Sequence, residues 1–201
     1  PSPVRASIRR TPAATPLSTS GYNSGGGTHI EIVGCRSWHN SDDGFDFLNA
    51  DGFSSGGYIT LKNCWAFRNG YSGGNGVGFK LGNGYSPIDG GTQRIIANCI
   101  AWDNSQMGID EGQEPSRINT IAYNNTSYRN RIGFTWHYTN SGSSATLRNN
   151  ISFANSTADY YIRSTGVTHD HNSWNGGVSL SSADFISLDD SGADGPRQAD
   201  G

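Results

Sequence analysis

Asn63-Cys64-Trp65-Ala66-Phe67-Arg68-Asn69 returns as Asn98-Cys99-Ile100-Ala101-Trp102-Asp103-Asn104. Looser copies are Gly34-Cys35-Arg36-Ser37-Trp38-His39-Asn40, Asn125-Thr126-Ser127-Tyr128-Arg129-Asn130 and Asn150-Ile151-Ser152-Phe153-Ala154-Asn155, with a last trace at Asn172-Ser173-Trp174-Asn175. Taking the Cys64 position as the mark, the copies sit at 35, 64, 99, 126, 151 and 173, so the steps are 29, 35, 27, 25 and 22 residues. Periods of this size belong to solenoids. Each unit is punctuated by Gly, Asn and Asp, and none holds a helical 3.6-residue period, so the repeat unit is built of strands. Ile59-Thr60-Leu61-Lys62 and Ala145-Thr146-Leu147-Arg148 alternate as strands with one apolar face. Unequal steps suit a parallel β-helix, whose strands stay in register while its loops vary, since each doubling of a loop costs only about 0.6 kcal/mol.

The composition agrees. The chain has 201 residues, 28 of them Gly, and only 33% are hydrophobic and 15% charged. Five Trp, nine Tyr and eight Phe argue against disorder. A thin columnar core with turn-rich walls reconciles the two. The net charge of −3 provides no basic footprint for nucleic acid. No apolar run approaches the roughly 18 residues of a membrane span, and no leader is visible. Residues 1–29 hold four of the seven prolines and no Asp or Glu, and read as a poorly ordered lead-in. Residues 30–178 read as the coils and 179–201 as a C-terminal extension, so the chain is expected to be part of a longer column.

Stacked coils place equivalent residues about 4.8 Å apart. Cys35, Cys64 and Cys99 are therefore expected as a buried ladder of unbonded thiols. Asn63, Asn98, Asn125 and Asn150 are expected as an amide ladder, and Trp38, Phe67, Trp102, Tyr128 and Phe153 as an aromatic stack in the core.

A second element follows in each coil: Gly44-Phe45-Asp46, Gly78-Phe79-Lys80, Gly108-Ile109-Asp110 and Gly133-Phe134-Thr135. The apolar residue points inward, so its successor points outward. Asp46, Lys80 and Asp110 should then share one exterior line. Next to it, Asn40-Ser41-Asp42-Asp43-Gly44-Phe45-Asp46 sets three carboxylates within five residues. Such a set either attracts a hard cation, Ca²⁺ before Zn²⁺ because no His or Cys cluster lies nearby, or is a solvated acidic turn. Lys80 reads either as a proton-abstracting base or as a lysine paired with Asp46 or Asp110. Nearby acids raise a lysine pKa, so a base role needs a cation among them. The Gly70–Gly78 run lacks a phosphate-loop Lys-Ser/Thr and reads as a flexible loop beside Lys80.

The acidic turn, together with Asn63-Cys64-Trp65-Ala66-Phe67-Arg68-Asn69-Gly70 and Asn75-Gly76-Val77-Gly78-Phe79-Lys80-Leu81-Gly82, resembles polysaccharide lyase family 9, and the likeness extends over roughly residues 30–201. The resemblance implies a right-handed parallel β-helix and Ca²⁺-dependent β-elimination on polygalacturonate or pectin by a secreted, monomeric enzyme. It implies Asp42, Asp43 and Asp46 as Ca²⁺ ligands and Lys80 as the base. Asp110, Arg68 and Arg94 are the candidates for holding substrate. The family draws a further Ca²⁺-binding aspartate from the preceding coil, for which residues 1–29 provide no acid. The alternatives are a non-catalytic carbohydrate-binding column, or a lyase or hydrolase acting on another acidic polysaccharide.

Overall fold

The computed structural model describes residues 17–18, 29–47, 58–82, 92–112, 118–137 and 144–196. Five successive strand triplets wind into a column. They are β2 (His29–Val33), β3 (Arg36–Trp38) and β4 (Phe45–Asp46); β5 (Tyr58–Lys62), β6 (Trp65–Phe67) and β7 (Phe79–Lys80); β8 (Thr92–Ala97), β9 (Ile100–Trp102) and β10 (Met107–Asp110); β11 (Ile118–Tyr123), β12 (Thr126–Tyr128) and β13 (Ile132–Trp136); β14 (Ala145–Arg148), β15 (Ile151–Phe153) and β16 (Ala158–Ile162). Strand β17 (Val167–Asp170) starts another turn, and β1 (Leu17–Ser18) precedes the first. Equivalent strands stack into three parallel sheets, β2-β5-β8-β11-β14-β17, β3-β6-β9-β12-β15 and β1-β4-β7-β10-β13-β16. The expected all-β parallel helix is the fold observed. Pairing of Leu17–Ser18 with Phe45–Asp46 carries the third sheet one strand into the lead-in; the rest of residues 1–28 lies outside the described residues.

The core follows from alternation. Ile59, Leu61, Ile96, Ala122 and Leu147 fill the column from the first sheet, and Phe45, Phe79, Ile109 and Phe134, all at 0% exposure, fill it from the third. Each buried Phe contributes about 2–3 kcal/mol. The recurrent Gly before it has a steric cause. A Cβ on Gly44 would lie 2.6 Å from the Gly78 carbonyl oxygen and 2.8 Å from the Asn69 amide, and Gly78 meets Gly108 and Asn104 in the same way.

Two left-handed corners punctuate each coil. One runs through Gly34, Asn63, Asn98, Asn124, Asn149 and His171, the other through His39, Arg68, Asp103, Arg129 and Ala154. This corrects the amide ladder. Thr126 pairs with Ile100, so Asn125, not Thr126, stands opposite Cys99. Asn63 and Asn98 are exposed corner residues. The buried position behind that corner reads Cys35, Cys64, Cys99, Asn125, Asn150, Asn172. It is one ladder that changes from thiol to amide: Asn125 Nδ2 donates to Asn150 Oδ1 at 3.0 Å and Asn150 Nδ2 to Asn172 Oδ1 at 2.8 Å. A full amide ladder runs behind the second corner through Asn40, Asn69, Asn104, Asn130 and Asn155. The three cysteines are free and buried, as expected. The bond from Cys35 pulls the Cys64 thiol pKa down, but Cys99 and burial outweigh it and push it up to about 12.

The aromatic stack is also relocated. Ala66 and Ala101 are the inward residues of the second sheet, so Phe67 and Trp102 stand on its outer face. There Trp38, Phe67 and Trp102 stack at centroid distances of 5.6 and 4.2 Å and form a cluster separate from the main core. The C-terminal extension covers it. Phe185 packs on Phe153 at 4.9 Å, Ala193 packs on the cluster, and Arg36 donates to the carbonyl oxygens of Ala193 at 2.6 Å and Gly195 at 3.0 Å. Between them Asp190 Oδ2 accepts from Trp102 Nε1 at 2.5 Å, Arg129 at 3.0 Å and Arg68 at 3.2 Å. The extension is thus a strap running from the fifth coil back to the first.

Candidate functional site

The third sheet sets the line that the repeat predicts. Lys80 is the register partner of Asp46 on one side and of Asp110 on the other, and Asp110 in turn partners Thr135. The register partner of Asp46 in the preceding strand is Ser18, not an acid. All four face away from the core, because Phe45, Phe79, Ile109 and Phe134 face into it. The line is nonetheless not exposed. Lys80 retains 6% exposure, Thr135 1% and Asp110 none. Strand alternation fixes which side of the sheet a residue takes, not whether that side is covered.

The acidic turn is locked to the next coil. Asp42 Oδ1 accepts the Asn75 amide at 2.5 Å, and Asp43 Oδ1 accepts the Val77 amide at 2.7 Å. Gly74 N–H donates to the Ser41 carbonyl at 3.0 Å, and Gly44 N–H to that of Val77 at 2.8 Å. The 70–78 run, expected as a loose loop, is therefore hydrogen-bonded along the turn that precedes it in the column. Its Gly74 is required there, since a Cβ would strike the Asp42 backbone.

Lys80 Nζ donates to Asp43 Oδ2 at 3.1 Å and lies 3.8 Å from Asp46 Oδ2. Its partner in the coil is thus Asp43 first, an acid that the line alone did not single out. Burial pulls the Lys80 pKa down, but Asp43, Asp46 and Asp42 outweigh it and the net shift is upward. Asp43, wholly buried, has its own pKa raised by burial, against the pull of the Val77 amide and Lys80. Acids outnumber bases here, so the group as a whole holds protons tightly.

Asp110 is the outlier. Neither oxygen has a partner of full hydrogen-bond geometry among the described residues, and the Thr135 hydroxyl beside it has none either. Burial first, then the charge of Glu111, pushes its pKa up to about 8, while the Gly112 amide and Lys80 pull the other way.

The two arginines go elsewhere. Arg94 is in register with the inward residues Ile59 and Thr120, and is 1% exposed inside the column, where its Nε donates to the Leu81 carbonyl at 2.8 Å. It does not face the outer line, and the expectation that it holds substrate there is corrected by the parity of its strand. Arg68 occupies the second corner at φ 55°, over the Phe67 ring and paired with Asp190.

The three carboxylates have the donor chemistry of a Ca²⁺ site, hard oxygens on a turn. The Lys80 ammonium, set between Asp43 and Asp46, shows that they draw in positive charge. They do not form a closed cage as they stand: among the described residues no three His, Cys, Asp or Glu are gathered to enclose a metal ion.

Ladders, corners and sheet order define a parallel β-helix protein. The chain belongs to the Pel9A-like right-handed β-helix family, whose description, "Pel9A-like, right handed beta helix region", matches residues 19–175. It is 37% identical over 178 residues to pectate lyase L of Dickeya dadantii (strain 3937), covering 85% of this chain and 38% of that protein. It is 31% identical over 215 residues to pectate lyase PEL9 of Emericella nidulans, covering 96% of this chain and 50% of that one. The crystal structure of pectate lyase Pel9A superimposes with a TM-score of 0.62 at 32% identity, over 80% of this chain and 38% of the other. The chain therefore spans half or less of the length of these relatives.

Proposed function

We propose that this chain is the site-bearing part of a secreted polysaccharide lyase that cleaves polygalacturonate by β-elimination, with Lys80 as base and acting as a monomer. The observation that supports it is the placement of Lys80: outward, in register between Asp46 and Asp110, and bonded to Asp43. Relatives named pectate lyase support the substrate class. In this reading Lys80 Nζ takes the proton from C5 of a uronate, the C4–O4 bond breaks, a C4=C5 double bond forms, and O4 leaves with a proton from solvent. Asp42, Asp43 and Asp46 would hold the Ca²⁺, which when bound would offset their charge and acidify the C5 proton. Asp43 then has to exchange Lys80 for the cation, which would free the amine to act as base.

The experiment is direct. The folded chain is incubated with polygalacturonate, with and without millimolar Ca²⁺ at alkaline pH, and ultraviolet absorbance of unsaturated uronate is followed. Ca²⁺-dependent growth of that signal, abolished by Lys80→Ala, is expected. A folded chain with no signal overturns the reading. The second reading, a carbohydrate-binding column without turnover, is favoured by the Lys80–Asp43 bond, which occupies base and ligand at once; it predicts glycan binding without absorbance change.

A further inference from the structure

The 70–78 segment has a second face. While its Asn75 and Val77 amides hold Asp42 and Asp43, its other end carries Tyr71 over an open cavity of about 420 Å³ lined by His39, Asn40, Arg68, Tyr71, Ser72 and Asp103. His39, Arg68 and Asp103 are successive residues of the second left-handed corner, so three coils contribute one residue each to the cavity. Tyr71 is 68% exposed, more than any other Phe, Trp or Tyr among the described residues, with Tyr160 next at 42%. The ring is not loose. Its hydroxyl donates to the Asp103 carbonyl oxygen of the next coil at 2.9 Å. A flat apolar face is thus held toward solvent at the rim of the cavity.

The charges around it are largely matched. Asp103 is gripped by both Nε and Nη2 of Arg129, at 2.9 and 2.7 Å. Arg68 gives Nη2 to Asp190, while its Nη1 is 3.9 Å from Asp194. The lining therefore offers one rigid aromatic face beside the Ser72 hydroxyl, the His39 imidazole and the Arg68 guanidinium. That pattern suits a sugar ring, whose C–H face packs on an aromatic and whose hydroxyls and carboxylate take polar partners at its edge. The volume is in the range of small-ligand sites.

We infer that this cavity is a subsite for one sugar ring of an acidic polysaccharide chain, stacked on Tyr71, away from the bond-breaking position at Lys80. The identity of the polymer rests on the function proposed above. The shared 70–78 segment joins the two: one end seats the sugar, the other fixes the acidic turn.

The test uses the full chain carrying Lys80→Ala, so that nothing turns over, and galacturonate oligomers of increasing length in Ca²⁺, with affinity read by calorimetry. Adding Tyr71→Ala should weaken the longer oligomers about fivefold and leave the shortest unchanged, whereas Tyr71→Phe, which keeps the ring, should retain most of the affinity. Equal affinity of Tyr71→Ala and its parent at every length overturns the subsite while leaving the lyase reading intact. Tyr71-dependent binding by a chain that shows no turnover with Lys80 restored overturns the lyase reading and keeps the subsite. Absence of binding at every length overturns both. Circular dichroism of Tyr71→Ala should be unchanged, since the ring is on the surface.

Discussion

Asp43 and Lys80 are 37 residues apart in sequence and 3.1 Å apart in space, with the carboxylate at 0% and the lysine side chain at 7% exposure. The pair exists because the parallel register sets adjacent coils side by side. It is also expensive to break from one side. Removing the acid strands a buried ammonium, for which Asp46 at 3.8 Å is a poor substitute. Lys80→Met in turn strands a wholly buried carboxylate. Asp43→Ala and Lys80→Met should therefore each destabilise the fold by about 3 kcal/mol, whereas Asp43→Leu combined with Lys80→Met, which removes both charges, should cost less than either. Urea denaturation of the three variants checks the coupling.

Asp110 predicts a pH dependence. Its carboxyl is at about 8 in the fold against 3.8 for the free side chain. Between these values the unfolded chain releases the proton and the folded chain keeps it, so the unfolded state binds fewer protons and stability falls as pH rises. Above the upper value the penalty is constant. Asp110→Asn removes it. The variant should match the parent near pH 4 and exceed it increasingly up to about pH 8, by at least about 1 kcal/mol, which a chain of this size shows as roughly 2–4 °C in Tm. A Tm difference that does not change with pH would contradict the assignment of a neutral Asp110.

The corrected ladders make a contrast between two asparagines of one coil. Asn69 is fully buried, its Nδ2 donating to Asn104 at 2.8 Å and its Oδ1 accepting from both nitrogens of Asn40. Asn69→Ala leaves these partners bare and should cost about 3 kcal/mol. Asn63 is an exposed corner residue at φ 54°. Asn63→Ala should cost only about 1 kcal/mol, from the left-handed backbone, and Asn63→Gly less. Paired denaturation curves distinguish the two positions.

The strap hangs on Asp190. Burial raises its pKa, but Trp102, Arg129 and Arg68 outweigh this and hold it below the usual carboxylate range. Asp190→Ala removes all three contacts and should cost about 2 kcal/mol. Release of the strap should uncover Trp38 and Trp102, now 8% and 5% exposed, and so increase acrylamide quenching of tryptophan fluorescence. Unchanged quenching in a destabilised variant would mean that the strap stays down without its anchor.

The column was legible from sequence because its inward residues repeat: Phe45, Phe79, Ile109 and Phe134 mark one sheet, and their successors give the Asp46–Lys80–Asp110 line. The one-residue slip at Asn125 has a physical origin. A left-handed corner favours Asn, and so does the buried ladder behind it, so in Asn124-Asn125 and Asn149-Asn150 both positions carry the same residue. Only strand register separates them. Burial of Asp110 was not legible, since alternation is silent about what lies above a sheet. The strap left no trace either: Arg36 and Ala193 are 157 residues apart, and a contact made once, outside the repeat, has no period to read. Lys80 pairs with Asp46 as expected, but its closer contact with Asp43 depends on the turn's path, which the spacing of the acids does not encode.

The strap alters how the column should come apart. A stack whose coils touch only their neighbours can peel from one end, one coil at a time, each step losing a single interface. Here one segment grips the first coil through Arg36, the middle coils through Arg68, Trp102 and Arg129, and the fifth through Phe153. Peeling either end must therefore first unfasten contacts made by coils still in place. Five units that would otherwise fray separately are bound into a single melting event.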